Sequence, residues 1–226
     1  MPARYGGRQA PFPAILGPVR RMAHGCASSA WTLGFYALHN WMLALFSEQA
    51  QSEAFATRPF LAPAPLAPTG RGVGCDGGIR LSGRWSWATG VMDGNWIIVA
   101  ALCEREPGDP STIYPVLALL PMDSARIDDE FVPAHRLVAV AGDPVARPVR
   151  GQARLAAAHI VHESRAVIGD LLGASGASAH FLDNPLQRIK RDVDVTAGQV
   201  VFDNDTTREL AGALTMGMPI PRTAMV

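Results

Sequence analysis

Trp85 and Trp87 stand on either side of a serine in the stretch GGIRLSGRWSWATG, residues 77–90, with Arg84 before them and Thr89 after them. Two of the chain's five tryptophans therefore fall within three residues. Indole rings supply flat surface, and a threonine hydroxyl both donates and accepts hydrogen bonds. That set can stack against a planar ligand and bond its edge. A sheet edge explains it as well, with one ring serving the core and the other an interface. A second set is His159, His162 and Glu163, where an i, i+3 histidine pair shares one side of a helix. The spacing is not HExxH and no further ligand cluster accompanies it, so no metal site is expected. The three cysteines, Cys26, Cys75 and Cys103, are far apart and form no CxxC pair. They give neither a disulfide framework nor a zinc site, and a reducing, cytoplasmic setting is expected.

The elements that must position these residues follow from the patterning. The chain has 226 residues, 48% of them hydrophobic, with 20 Lys plus Arg against 20 Asp plus Glu. This is a globular composition with no basic excess for nucleic acid. The N-terminus has no apolar core behind its basic residues and does not read as a secretory signal. Residues 30–46, AWTLGFYALHNWMLALF, are close to the lower length limit for a membrane span and carry His39 and Asn40 inside, so they read as a buried helix.

Residues 1–17 read as an extended lead-in. A helix follows from Pro18, and a second runs from a cap at Ser28 or Ser29 to about Phe46, apolar nearly all round and so expected between neighbours. Residues 58–74 are proline- and glycine-rich and read as a linker or surface loop. Asp76-Gly77 signals a hairpin, and 95–104, 113–121 and 130–140 are strand candidates, giving a small antiparallel sheet or barrel. Helices return at 151–172, 186–202 and 205–217, the last capped by Asp205 or Thr206, with a loop at 173–184. The division is an N-terminal helical part (1–57), a β domain (58–142) and a C-terminal helical part (143–226).

Four stretches in order, RYGG with AHGCASSAWTLGFYALHNW, then DGGIRLSGRWSWATG with NW, then FVPAHR, then AHFLDNPLQRIKRDVDV, resemble the acyl-CoA dehydrogenase superfamily. Within it the chain looks most like the two-component flavin-dependent monooxygenases that hydroxylate phenols and aromatic polyketides. The resemblance implies an α+β fold with N-terminal helices, a central antiparallel β domain and a C-terminal helical bundle. It implies reduced FMN or FAD as cofactor, a separate flavin reductase as partner, a small aromatic substrate, and no nucleic-acid or membrane partner. Carried over residue by residue, Trp85 and Trp87 wall the flavin and Thr89 lies beside its reactive nitrogen. His39 becomes a substrate-facing base that takes a proton from a phenol; a core histidine bonded to a neighbour is the alternative. Arg191, with Asp192, helps to hold the flavin or a phosphate; a plain surface charge pair is the alternative.

The chain departs from the pattern by being shorter. The first helices, a tryptophan and Gly-Thr-Gly-Ser segment between MDSARI and DDEFVPAHR, and about two bundle helices are lacking, and Gln199 stands where the family has a second histidine. Helices so exposed predict a homo-oligomer. Two other readings accompany the monooxygenase: an acyl-CoA dehydrogenase-like oxidoreductase of a CH–CH bond, for which no carboxylate base is found, and a redox-inactive homologue such as a flavin-independent cyclase, binder or scaffold subunit.

Overall fold

The computed structural model describes residues 1–56, 59–106, 108–122, 127–139, 146–221 and 224. They form two compact units, Met1–Ala141 and Gly142–Val226. The sequence boundaries at 57/58 and 142/143 fall on or beside residues outside that set, as does most of the MDSARI segment.

In the first unit the lead-in is not extended. It coils into two 3-10 turns, Ala3–Tyr5 and Phe12–Ile15, before α1 (Leu16–Gly25), α2 (Ala27–Leu43) and α3 (Glu48–Ala56). Pro2 precedes the first turn, and Pro11 and Pro13 open the second, where the fixed φ of proline suits the first residues of a helical turn. The cap of α2 is Cys26, whose sulfur accepts from Ser29 N at 3.5 Å, rather than either serine. Although α2 is apolar nearly all round, it is buried along one side only. Ala30, His39, Met42 and Leu43 are buried, while Trp41 is 51% exposed.

Six strands make one sheet: β1 (Gly70–Cys75), β2 (Gly78–Gly83), β3 (Trp96–Glu104), β4 (Ile113–Pro121), β5 (Ile127–Pro133) and β6 (Leu137–Ala139). Their order is β5-β2-β1-β3-β4-β6. The expected hairpin is present between β1 and β2, with Gly77 at φ 76° in the turn, where a side chain would be strained. The sheet is not wholly antiparallel, because β1 and β3 run parallel. β2 ends where β1 began, so a chain that passes to the far side of β1 starts β3 from that same end. The strand candidate at 130–140 is split by a 3-10 turn, Ala134–Arg136, into the end of β5 and all of β6.

β3 shows the period of two that builds the core. Trp96 and Ile98 join Met42, Leu43, Phe46, Phe55 and Leu119 on one face. Ile97, Val99, Ala101 and Cys103 join Ile79, Leu81, Val116 and Val132 on the other. Burial pushes the Cys103 thiol up to about 11, so this sulfur behaves as an inert apolar group.

The proline-rich segment is not a surface linker. Phe60, Ala62, Pro63 and Pro65 are buried, and the segment runs beside β3 as an extension of β1. Trp96 N donates to Leu61 O at 3.3 Å, Ile98 N to Pro63 O at 3.0 Å and Ala100 N to Pro65 O at 3.4 Å. A proline lacks a donor but keeps its acceptor, which is all this arrangement requires of it.

The second unit is helical: α4 (Arg147–Ser175), α5 (Pro185–Ala197) and α6 (Asn204–Thr215), with 3-10 turns at Ala177–His180 and Val200–Phe202. α4 thus extends three to four residues beyond its sequence estimate at each end. Asn184 caps α5, its side chain accepting from Leu186 N at 3.0 Å. Asp203 caps α6, accepting from Thr206 N at 2.8 Å. The cap lies ahead of the expected Asp205 or Thr206 because only a residue before the first turn can reach its free N–H groups. Among the described residues no helix is long and apolar enough to cross a membrane.

Candidate functional site

The tryptophans separate once β2 ends at Gly83, ahead of both. Trp85 turns inward. Its indole N–H donates to Ala100 O at 2.8 Å, and its ring lies over Gly70 and Gly83, where a Cβ at Gly83 would meet the ring at 2.6 Å. Trp87 turns outward and is 93% exposed. Its φ of 62° is in the left-handed region, which an aromatic residue adopts only under constraint. Thr89 is half-buried in the turn that follows, and its hydroxyl bonds to no other described residue.

The same turn is fastened to α2. Tyr36 donates its hydroxyl to Gly90 O, which also accepts from Asp93 N at 3.2 Å. Burial raises the Tyr36 pKa, helped by the negative charge of Asp93, so the phenol stays protonated as the donor. Tyr36 and His39 are three residues apart on α2 and share a side of it. The structure thereby brings the 85–90 turn and the helix side that carries His39 into one region.

His39 is 1% exposed, and its Nδ1 lies 2.5 Å from Ala62 O. A carbonyl only accepts, so Nδ1 carries the proton and Nε2 presents its lone pair, which meets no other described donor. Burial lowers the His39 pKa and outweighs the bond to Ala62, which acts the other way. The imidazole is therefore neutral at neutral pH. Asn40 adds a second tie, donating to Phe60 O at 3.2 Å.

Arg191 lies exposed on α5 and takes part in no ion pair among the described residues. Neighbours in sequence do not face each other on a helix, so Arg191 and Asp192 are not partners. The α5 carboxylate in use is Asp194, bound by Arg165 at 2.8 Å and by Lys190. Gln199 sits between α5 and the following 3-10 turn. His162 donates from Nε2 to Phe202 O at 3.0 Å, whereas His159 approaches Glu163 only to 3.9 Å, so the two histidines do not converge. Among the described residues no three His, Cys, Asp or Glu side chains gather as a metal would need.

The FVPAHR stretch makes a structural tie. Glu53 of α3 binds His135 Nε2 at 2.9 Å and Arg136 Nε at 2.7 Å, and Arg136 lies 5.3 Å from the Trp96 ring centroid. Burial works against the Glu53 carboxylate, yet the two bonds together hold it below its ordinary range. Sequence reasoning passed over Tyr36 and Gly90, since a tyrosine in an apolar helix reads as core. The signal available was a hydroxyl on the same helix side as a histidine.

Residues 129–204 match the family model described as acyl-CoA dehydrogenase, C-terminal domain. The chain is 30% identical over 154 residues to the flavin-dependent monooxygenase oxygenase subunit HsaA of Rhodococcus jostii, covering 61% of this chain and 40% of that protein. It is 30% identical over 158 residues to the oxygenase component of FADH(2)-dependent resorcinol hydroxylase from a Rhizobium species, covering 61% and 38%. With the Mycobacterium tuberculosis HsaA subunit the identity is 25% over 244 residues, covering 88% and 62%. The chain thus spans between about two fifths and three fifths of the length of these curated relatives. The crystal structure of 3-HSA hydroxylase from Rhodococcus sp. RHA1 superposes with a TM-score of 0.84 at 21% identity, covering 99% of this chain and 87% of that one. Residues 129–204 thus carry the signature of an acyl-CoA dehydrogenase C-terminal domain, and the chain is similar in sequence to flavin-dependent monooxygenases and shares the fold of 3-HSA hydroxylase.

Proposed function

We propose that the protein is the oxygenase of a two-component system, hydroxylating a small aromatic substrate with reduced FMN or FAD and oxygen. The observation that carries the proposal is the fastening of the 85–90 turn to the side of α2 that bears His39. The relatives named as monooxygenases and hydroxylases support it.

The residues present fit a flavin. In the first unit Trp87 offers an open flat face, and Thr89 a hydroxyl bonded to no other described residue. Trp85, with its N–H committed to Ala100, contributes by fixing the strand end rather than by facing the ring. A bound reduced flavin supplies the electrons that activate oxygen. The chain's own residues do the rest: Trp87 stacks on the ring, Thr89 orients it, and His39 Nε2 takes the proton of a phenol. A neutral imidazole with its other nitrogen held by Ala62 O is in the state that this proton transfer requires.

A separate reductase delivers the flavin; the Rhizobium relative, an FADH(2)-dependent resorcinol hydroxylase, is itself an oxygenase component. A second copy of the chain covers α4. Val149, Ile160, Val167 and Leu171 are exposed at spacings of eleven, seven and four residues, which form one stripe along that helix. The test is an anaerobic titration with reduced FMN and then FAD, followed by oxygen and a simple phenol. Saturable binding and a hydroxylated product are expected; failure of both flavins to bind sinks the proposal.

A further inference from the structure

We propose that Tyr36 is a positioning residue of this site: its hydroxyl, through Gly90 O, pins the turn that presents Trp87 and Thr89 against the side of α2 that carries His39. The inference rests on the function proposed above and adds to it the residue that sets the turn's geometry.

Trp87 cannot hold its own turn, because its ring is almost wholly exposed. Both ends of the turn are held instead. Upstream, Trp85 bonds Ala100 O at 2.8 Å and so fixes the segment to β3. Downstream, Tyr36 bonds Gly90 O. Between these anchors Trp87 is kept at a left-handed φ, and Thr89 is the residue next to the second anchor. Gly90 is matched to the tyrosine. Its φ is 81°, and a Cβ there would lie 2.5 Å from the Tyr36 hydroxyl oxygen and 2.6 Å from the ring carbon that bears it. A side chain at 90 therefore cannot coexist with the bond. One turn along α2 from the anchor is His39, itself fixed to Ala62 O. A single helix side thus sets both the proton-accepting nitrogen and the turn across from it, and Tyr36 is the link between them.

Tyr36→Phe keeps the ring and removes the donor. In the protein without added flavin, the backbone amides of 87–93 should exchange with solvent about 2–10-fold faster, the range set by the net worth of one hydrogen bond, while β3 amides are unchanged. Affinity for reduced FMN should fall by a factor within the same range. Gly90→Ala displaces the turn without altering Tyr36 and should produce both effects. Glu53→Gln, which loosens α3 elsewhere, should leave exchange at 87–93 at its original rate; acceleration there would assign the effect to general loosening and overturn the proposal. Unchanged exchange in Tyr36→Phe overturns the tether. Faster exchange with unchanged FMN affinity overturns the positioning role. If the unaltered protein binds neither reduced flavin, the function itself falls and the positioning role falls with it, whatever the exchange shows.

Discussion

The two units use apolar residues differently. In the first, β3 places Trp96, Ile97, Ile98, Val99, Ala101 and Cys103 in one or other of two buried clusters, and much of the proline-rich segment beside it is buried. In the second, the buried set is small: Gly151, Ala158, Leu172, Ala179, Thr207 and Ala211. Many of its larger apolar residues, among them Ile160, Val167, Leu171 and Val195, face solvent. A sheet buries side chains on both faces once helices cover it, whereas three helices in contact bury only the seams between them. The first unit supplies its own core. The second adds polar ties to its small seam, such as Arg165 to Asp194 and Arg154 to Val200 O at 3.1 Å.

The contrast is broken most directly by truncating matched residues. Ile98→Ala, at a fully buried position of β3, should lower the unfolding free energy by about 3 kcal/mol, read as a shift of the urea midpoint. Leu172→Ala, in the seam of the second unit, should cost about 2 kcal/mol by the same measurement, because a cavity opening near the surface collapses more readily. Equal losses would mean that the second unit has a core of the same quality. A smaller effect is a slope with pH. His39 has its pKa lowered in the fold, so below the ordinary histidine value of 6.5 the unfolded chain binds the extra proton first and stability falls as pH falls. His39→Asn should flatten that slope below pH 6.5; a slope that persists would place the titrating group elsewhere. The smallest expected change is at the exposed stripe. Ile160→Ser should alter the stability of the isolated chain by no more than about 0.5 kcal/mol, yet weaken self-association in sedimentation. Unaltered association would leave the stripe without the proposed second copy.

Sequence patterning located the strands at 96–104 and 113–121 within a residue, since long β-branched and apolar runs between turn residues have few other outcomes. The hairpin was legible from Asp76-Gly77 for a similar reason. The proline-rich segment reads as a loop because proline lacks a donor, yet it pairs through its acceptors alone. The tryptophans could not be told apart from their letters. What separates them is the positive φ at Trp87, in a turn bonded to β3 on one side and to α2 on the other. The buried state of His39 was equally hidden, since it depends on a carbonyl contributed from 23 residues away.

That distance bears on the order in which the chain assembles. His39 meets Ala62 after closing 23 residues, Leu61 meets the Asn95 side chain after 34, and Arg80 of β2 meets Asp129 after 49. Shorter loops close at lower entropic cost, and contacts local in sequence form first. A chain emerging from the ribosome N-terminus first can therefore seat its proline-rich segment on α2 before β3 has been synthesised. β3, synthesised later, then meets the carbonyls of Leu61, Pro63 and Pro65, an order that loop-closure entropy favours.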